Sequence, residues 1–151
     1  MFHQNSIGMP ERVHKWGCYT ADIAAATAAV TKKEITQSEF LYVVTEAEKQ
    51  GALVEDPNVP GEFMYVWDVE KIFHLMGLEV IYLGHRNKYY LCQADEIEML
   101  HWRRYNGSKY IYHFTFGDGR GKTIYDSWAP FSITAREGEL KSKRIIKVKH
   151  W

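Results

Sequence analysis

The chain has 151 residues, enough for one domain with a substantial hydrophobic core. It is 46% hydrophobic and 25% charged, which excludes disordered, coiled-coil and collagen-like classes. Lys+Arg and Asp+Glu balance at 19 each, so no global field draws the chain to nucleic acid or to an anionic membrane. The first residues, MFHQNSIGMPERVHKWGC, lack the basic head and apolar run of a signal peptide. No stretch reaches the roughly 18 apolar residues of a membrane span. The expectation is synthesis and folding in a cytosol, with no membrane partner.

In chain order, the alanine-rich segment from Cys18 to Val30 predicts a helix that opens at Cys18. Thr36-Gln-Ser-Glu39 is a capping box that starts a second helix, with Phe40, Val43, Val44 and Ala47 on one face and Gly51 beyond its end. Asp56 to Gly61 reads as a loop, and Asp68 caps a third helix, Val69 to Met76, ended by Gly77. The period then changes. Leu78–Leu83 and Lys88–Gln93 read as strands around the turn GHRN, and Ala94–Leu100 as a helical turn or two before a strand through Trp102–Tyr105. Asn106-Gly107 marks a hairpin. Tyr110–Phe116 and Lys122–Asp126 are strands joined by GDGRG, and Arg144–Val148 supplies the last strand. Helices first and an antiparallel sheet after them predict an α+β fold, with residues 1–151 as a single domain.

Two cysteines make no disulfide framework. Cys92, in the apolar run KYYLCQ, reads as a buried inert thiol. Cys18 stands at a helix amino terminus, where free N–H groups and the helix dipole favour a thiolate, and Gly17 lets the chain turn sharply and a substrate backbone come close. Among the histidines, His113 is set apart by its place in the aromatic strand YIYHFTF. A turn centred between Gly119 and Arg120 puts His113 directly opposite Asp126, and opposed residues share a face. A carboxylate there would fix the imidazole tautomer, leaving its other nitrogen for the thiol. A slip of one residue would separate the two.

Together, WGCYTADIA and the later YIYHFTFGDGRGKTIYDSW resemble the papain-like cysteine peptidases, above all the C39-like peptidases of bacteria and phages. In that family a glycine-preceded cysteine opens the first helix, and a histidine strand leads through a glycine-containing turn to an acid in a "YDPW"-like phrase. Here the phrase is Tyr125-Asp126-Ser127-Trp128, with serine for the usual proline. The resemblance implies a papain-like domain with Cys18 as nucleophile, His113 as general base and acid, and Asp126 as its orienter. Gly17, Trp16 and Trp128 would contact substrate, a peptide or a peptidoglycan cross-peptide.

The family's oxyanion glutamine is missing from its usual place five to seven residues before the cysteine. That leaves the Cys18 N–H with Arg12 or His14 as candidate donors, and it leaves open a silent papain-like domain that binds a protein partner. No cofactor is required. Metal-ligand spacings and nucleic-acid modules are absent, so neither partner is expected.

Overall fold

Local signals account for the helices. In the computed structural model, which describes residues 1–151, α1 (Glu11–Trp16) leads through Gly17 into α2 (Cys18–Thr31), followed by α3 (Gln37–Lys49). Thr36 Oγ1 accepts from the Glu39 N–H at 3.2 Å and Glu39 Oε1 accepts from the Thr36 N–H at 3.3 Å, so the capping box forms as expected. Asp68 caps α4 (Val69–Met76) through the Lys71 N–H, and Gly77 closes it at φ +100°. Every residue of α2 from Thr20 to Thr27 is buried, which marks the central helix of the fold. Its alanines let the surrounding elements approach closely. No helix is long and apolar enough to cross a membrane.

The second half is an antiparallel sheet of five strands: β3 (Val80–Arg86), β4 (Glu96–Tyr105), β5 (Tyr110–Gly117), β6 (Thr123–Asp126) and β7 (Glu139–Val148), in the order β3-β7-β4-β5-β6. A two-stranded ribbon, β1 (Leu53–Val54) with β2 (Tyr65–Val66), and a short helix, α5 (Ile133–Glu137), complete the α+β domain. Ile23 and Ala24 of α2, Phe40 and Val44 of α3, and Phe73 of α4 meet Met99 and Ile146 of the sheet in one core.

Two expectations are corrected. Lys88–Gln93 is not a strand, and β3 pairs with β7 rather than with the segment that follows it. Local hydrogen bonds hold residues 87–95 in turns instead. Asn87 Oδ1 accepts from the Tyr89 N–H, and Glu96 Oε1 accepts from the Gln93 N–H and the Tyr90 hydroxyl. Tyr89 and Leu91 consequently face solvent. Residues 96–100, expected to be a helical turn, belong to β4, where Met99 and Leu100 are fully buried.

The hairpin from β5 to β6 also departs from its expected register. Its loop centres on Arg120, since the Asp118 N–H donates to the Lys122 carbonyl and Gly117 pairs with Thr123. Ile124 is then an extra residue, a bulge after which Phe116 pairs with Tyr125 and Thr115 with Asp126. The loop centre and the bulge each shift the pairing by one residue. Either alone would carry Asp126 to the other face; together they shift it by two and return it to the face of His113.

A buried ion pair fixes this loop. Lys143 Nζ and Glu98 Oε1 lie 2.7 Å apart with essentially no exposure, and Glu98 Oε2 accepts from the N–H groups of Gly119 and Gly121 at 2.9 and 2.8 Å. Removing one partner of a buried pair strands the other charge. Lys143→Met is therefore expected to cost about 3–5 kcal/mol in denaturant unfolding. Glu98→Gln/Lys143→Met should recover part of the loss, because the stranded charge is gone while an amide oxygen can still accept from the glycines.

Candidate active site

The candidate site is built at the start of α2. Gly17 carries an ordinary φ of −84°, so the turn itself does not require glycine. Space does: a Cβ there would stand 2.5 Å from the Val13 carbonyl oxygen. The close α1–α2 junction sets Cys18 as the first residue of α2, whose opening N–H groups receive no side-chain cap. The half-buried thiol lies close to the His113 imidazole and to the backbone N–H groups of Phe114 and Tyr19, all of which favour its thiolate.

His113 and Asp126 meet diagonally across β5 and β6, not directly opposed, and His113 Nε2 donates to Asp126 Oδ1 at 2.7 Å. Diagonal neighbours lie within reach of long side chains. Nδ1 is thereby left for the thiol. Asp126 Oδ1 also accepts from the Trp128 N–H at 3.0 Å, and Oδ2 accepts from the Ser132 N–H at 2.8 Å. His113 is 8% exposed and Asp126 5%.

These contacts decide the charges. Burial pushes the Cys18 thiol up, but His113 and the two backbone donors outweigh it and bring the thiol below its ordinary value. Burial pushes His113 down, and Asp126 and Cys18 reverse this, raising it to about 9. Burial raises Asp126, while His113 and the Trp128 and Ser132 N–H groups hold it below the usual carboxylate range. The stability contributed by charged His113 is complete below the ordinary imidazole value of 6.5 and is lost as pH rises through about 9. Cys92, by contrast, is driven up to about 12 by burial and by Glu98. It is half-buried rather than buried.

The remaining predicted residues divide. Arg12 is not at the site's disposal: its guanidinium grips Glu48 of α3 through two hydrogen bonds of 2.9 Å. His14 is exposed and meets the ring of Trp128 edge-on at 4.9 Å. Trp16 packs edge-on to the half-exposed Phe63 at 6.0 Å. Gln4, the nearest glutamine to Cys18 in the preceding chain, is buried with its amide spent on the Val13 and His14 carbonyls. Its Oε1 accepts from the Ser127 hydroxyl, and its N–H donates to the Ser127 carbonyl. Asn5 bonds Ala129 in both directions, and the Tyr125 hydroxyl donates to the Phe2 carbonyl. Residues 2–5 thus strap the Tyr125–Ala129 segment to α1, which explains a serine at position 127. Only the polar side chains of Gln4 and Asn5 hinted at this strap in the sequence.

Sequence reasoning also missed Asp22. It lies one helical turn beyond Cys18, fully buried, and neither carboxylate oxygen has a hydrogen-bond partner in the protein. Burial first, then the nearby Cys18 and Asp126, push its carboxyl well above the usual range. That shift disfavours a second carboxylate charge at the site. No cluster of His, Cys, Asp and Glu is arranged to hold a metal ion. A separate apolar groove of about 340 Å³ lies between α3 and α4, lined by Ile35, Tyr42, Val43, Leu75 and Met76 among others. It shares no residue with the Cys18 cluster.

No protein-family model, curated protein or solved structure matches this chain.

The Asp22 environment carries a pH test. A carboxyl raised on folding holds its proton in the native state after the unfolded chain has lost it. Stability then falls as pH climbs above about 4, by up to about 1.4 kcal/mol per pH unit. Asp22→Asn removes this loss. Thermal unfolding should show the variant gaining on the wild type from pH 4 to pH 8.

Proposed function

We propose that the protein is a thiol-dependent amide hydrolase of papain-like architecture, acting on a peptide or a peptidoglycan-like cross-peptide. The observation that carries this reading is the chain of contacts from Cys18 to His113 to Asp126, with the thiol pulled down and the imidazole raised. A buried acid that accepts from its histidine and from two backbone N–H groups is a rigid orienter of an imidazole. The order of the elements and the WGC and YDSW phrases support the same family resemblance.

In this reading the Cys18 thiolate attacks the carbonyl carbon and forms the S–C bond, moving a pair of electrons onto the carbonyl oxygen. The Cys18 N–H and His14 stabilise that oxyanion, since Arg12 and Gln4 are both engaged elsewhere. Collapse breaks the C–N bond, and the His113 Nδ1 proton passes to the leaving amine. Water then adds to the thioester carbonyl as His113 takes its proton. The S–C bond breaks, freeing the carboxylic acid product and the thiolate.

A second reading, a silent domain that binds a protein partner, is favoured by one observation: Arg12 and Gln4, two candidate replacements for the missing oxyanion glutamine, are both engaged elsewhere. Alkylation of Cys18 by iodoacetamide, resolved from Cys92 by mass spectrometry, separates the two. Hydrolysis requires Cys18 to react well below pH 8, His113→Ala to abolish that reactivity, and His14→Ala to lower turnover of a cleaved peptide by about 100- to 1000-fold. Titration of Cys18 as an ordinary thiol near 8.5 would contradict it. A reactive Cys18 with no cleavage of peptides or of purified peptidoglycan would favour the binding domain.

A further inference from the structure

The sheet face that buries Met99 and Phe116 beneath α2 continues past the first turn of that helix. There it carries His85 and His101, with Lys141 and Arg144 of β7 beside them. His85 pairs with Arg144, and Arg144 with Met99, so the three side chains share that face. Phe114 forms the floor. The Arg144 guanidinium lies over its ring at 5.4 Å, and the His101 ring stacks on it at 4.4 Å and on Tyr112 at 5.2 Å. Lys141 Nζ sits 5.2 Å from the Tyr112 ring.

This cluster is cationic and lacks a counter-charge. Some cations of the sheet do pair with acids, Arg103 with Glu139, Lys143 with Glu98 and Lys147 with Asp95, but neither Arg144 nor Lys141 does. Arg144 has no carboxylate partner; it donates to the Ser142 hydroxyl at 2.8 Å. His101 Nδ1 is buried with no hydrogen-bond partner. Burial, with Arg144, Lys141 and His85 close by, drives His101 down to about 3, and burial also lowers Arg144. An anion would relieve both. The cluster adjoins the start of α2, because the Phe114 ring lies 4.6 Å from the ring of Tyr19, the residue after Cys18, and the Phe114 N–H is close to the thiol.

We propose that Arg144, with His101 and Lys141, binds a carboxylate group of the substrate next to Cys18, so that the preferred peptides are acidic near the cleaved bond. A guanidinium stacked on an aromatic ring, with its remaining N–H groups free, is suited to a planar carboxylate. The inference rests on the hydrolase reading for the ligand's role as substrate, not for its binding.

The test is an NMR titration at pH 7 that follows the His101 ring and the Arg144 Nε–H. Three probes of equal size are used: N-acetyl-glutamate α-amide, N-acetyl-glutamine, and the neutral N-acetyl-glutamine amide. The first two carry a side-chain and an α-carboxylate respectively, so their relative affinities show which carboxylate the cluster takes. At least one should shift both resonances saturably, while the neutral amide leaves them in place. Arg144→Gln is expected to weaken binding about 10- to 100-fold. Lys141→Gln, at an exposed position, should weaken it by a smaller factor without risk to folding. Equal shifts with the neutral amide, no shift with either carboxylate, or undiminished binding by Arg144→Gln would overturn the proposal. The hydrolase reading fails separately, in the alkylation profile of Cys18, which this titration does not use.

Discussion

The Asp126 carboxylate organises this half of the molecule. One oxygen takes the His113 Nε2–H and the Trp128 N–H, and the other takes the Ser132 N–H that begins α5. The imidazole orientation, the Trp128 segment and the start of α5 therefore depend on a single buried acid. Its position depends in turn on hairpin register. A loop centred on Arg120 and a bulge at Ile124 each displace the pairing by one residue, and only their combination leaves Asp126 on the His113 face. Glu98 holds the loop half of that arrangement through Gly119 and Gly121. The buried Glu98–Lys143 pair, remote from the thiol in sequence, thus bears on the geometry around it.

Electrostatics around Cys18 follow from what is kept neutral as much as from what is charged. Burial raises the carboxyl of Asp22, one turn along α2, and so disfavours a second carboxylate charge beside Cys18 and Asp126. On the far side of the Tyr19 and Phe114 rings lie cations with no acid opposite them. An anionic ligand seated on Arg144 would complete that charge distribution.

Much of the fold was legible because its signals are local. The capping box at Thr36, the Asp68 cap and Gly77 specify their helices within a few residues, and the alternation through Tyr110–Phe116 specifies β5. Lys88–Gln93 misled because its apolar residues read as a strand while Asn87 and Glu96 capture the same backbone. The site was legible by a narrower margin. Cys18 at its glycine and His113 in its aromatic strand stand out by type, and the Asp126 pairing survived a register error only because the error was even. Arg12 could not be dismissed without knowing that Glu48 of α3 lies beside it. The strap of residues 2–5, the isolation of Asp22 and the cations around Arg144 arise from contacts between distant segments, which no spacing in the chain records.

The most direct measurement is the protonation of the His113 ring by nitrogen NMR against pH, in the wild type and in Cys18→Ser. The contacts with Asp126 and Cys18 predict an imidazolium that persists to about pH 9 in the wild type, and one that loses its proton at lower pH once the sulfur is replaced. A ring that titrates near 6.5 in both proteins would contradict the thiolate–imidazolium pair on which the functional reading depends.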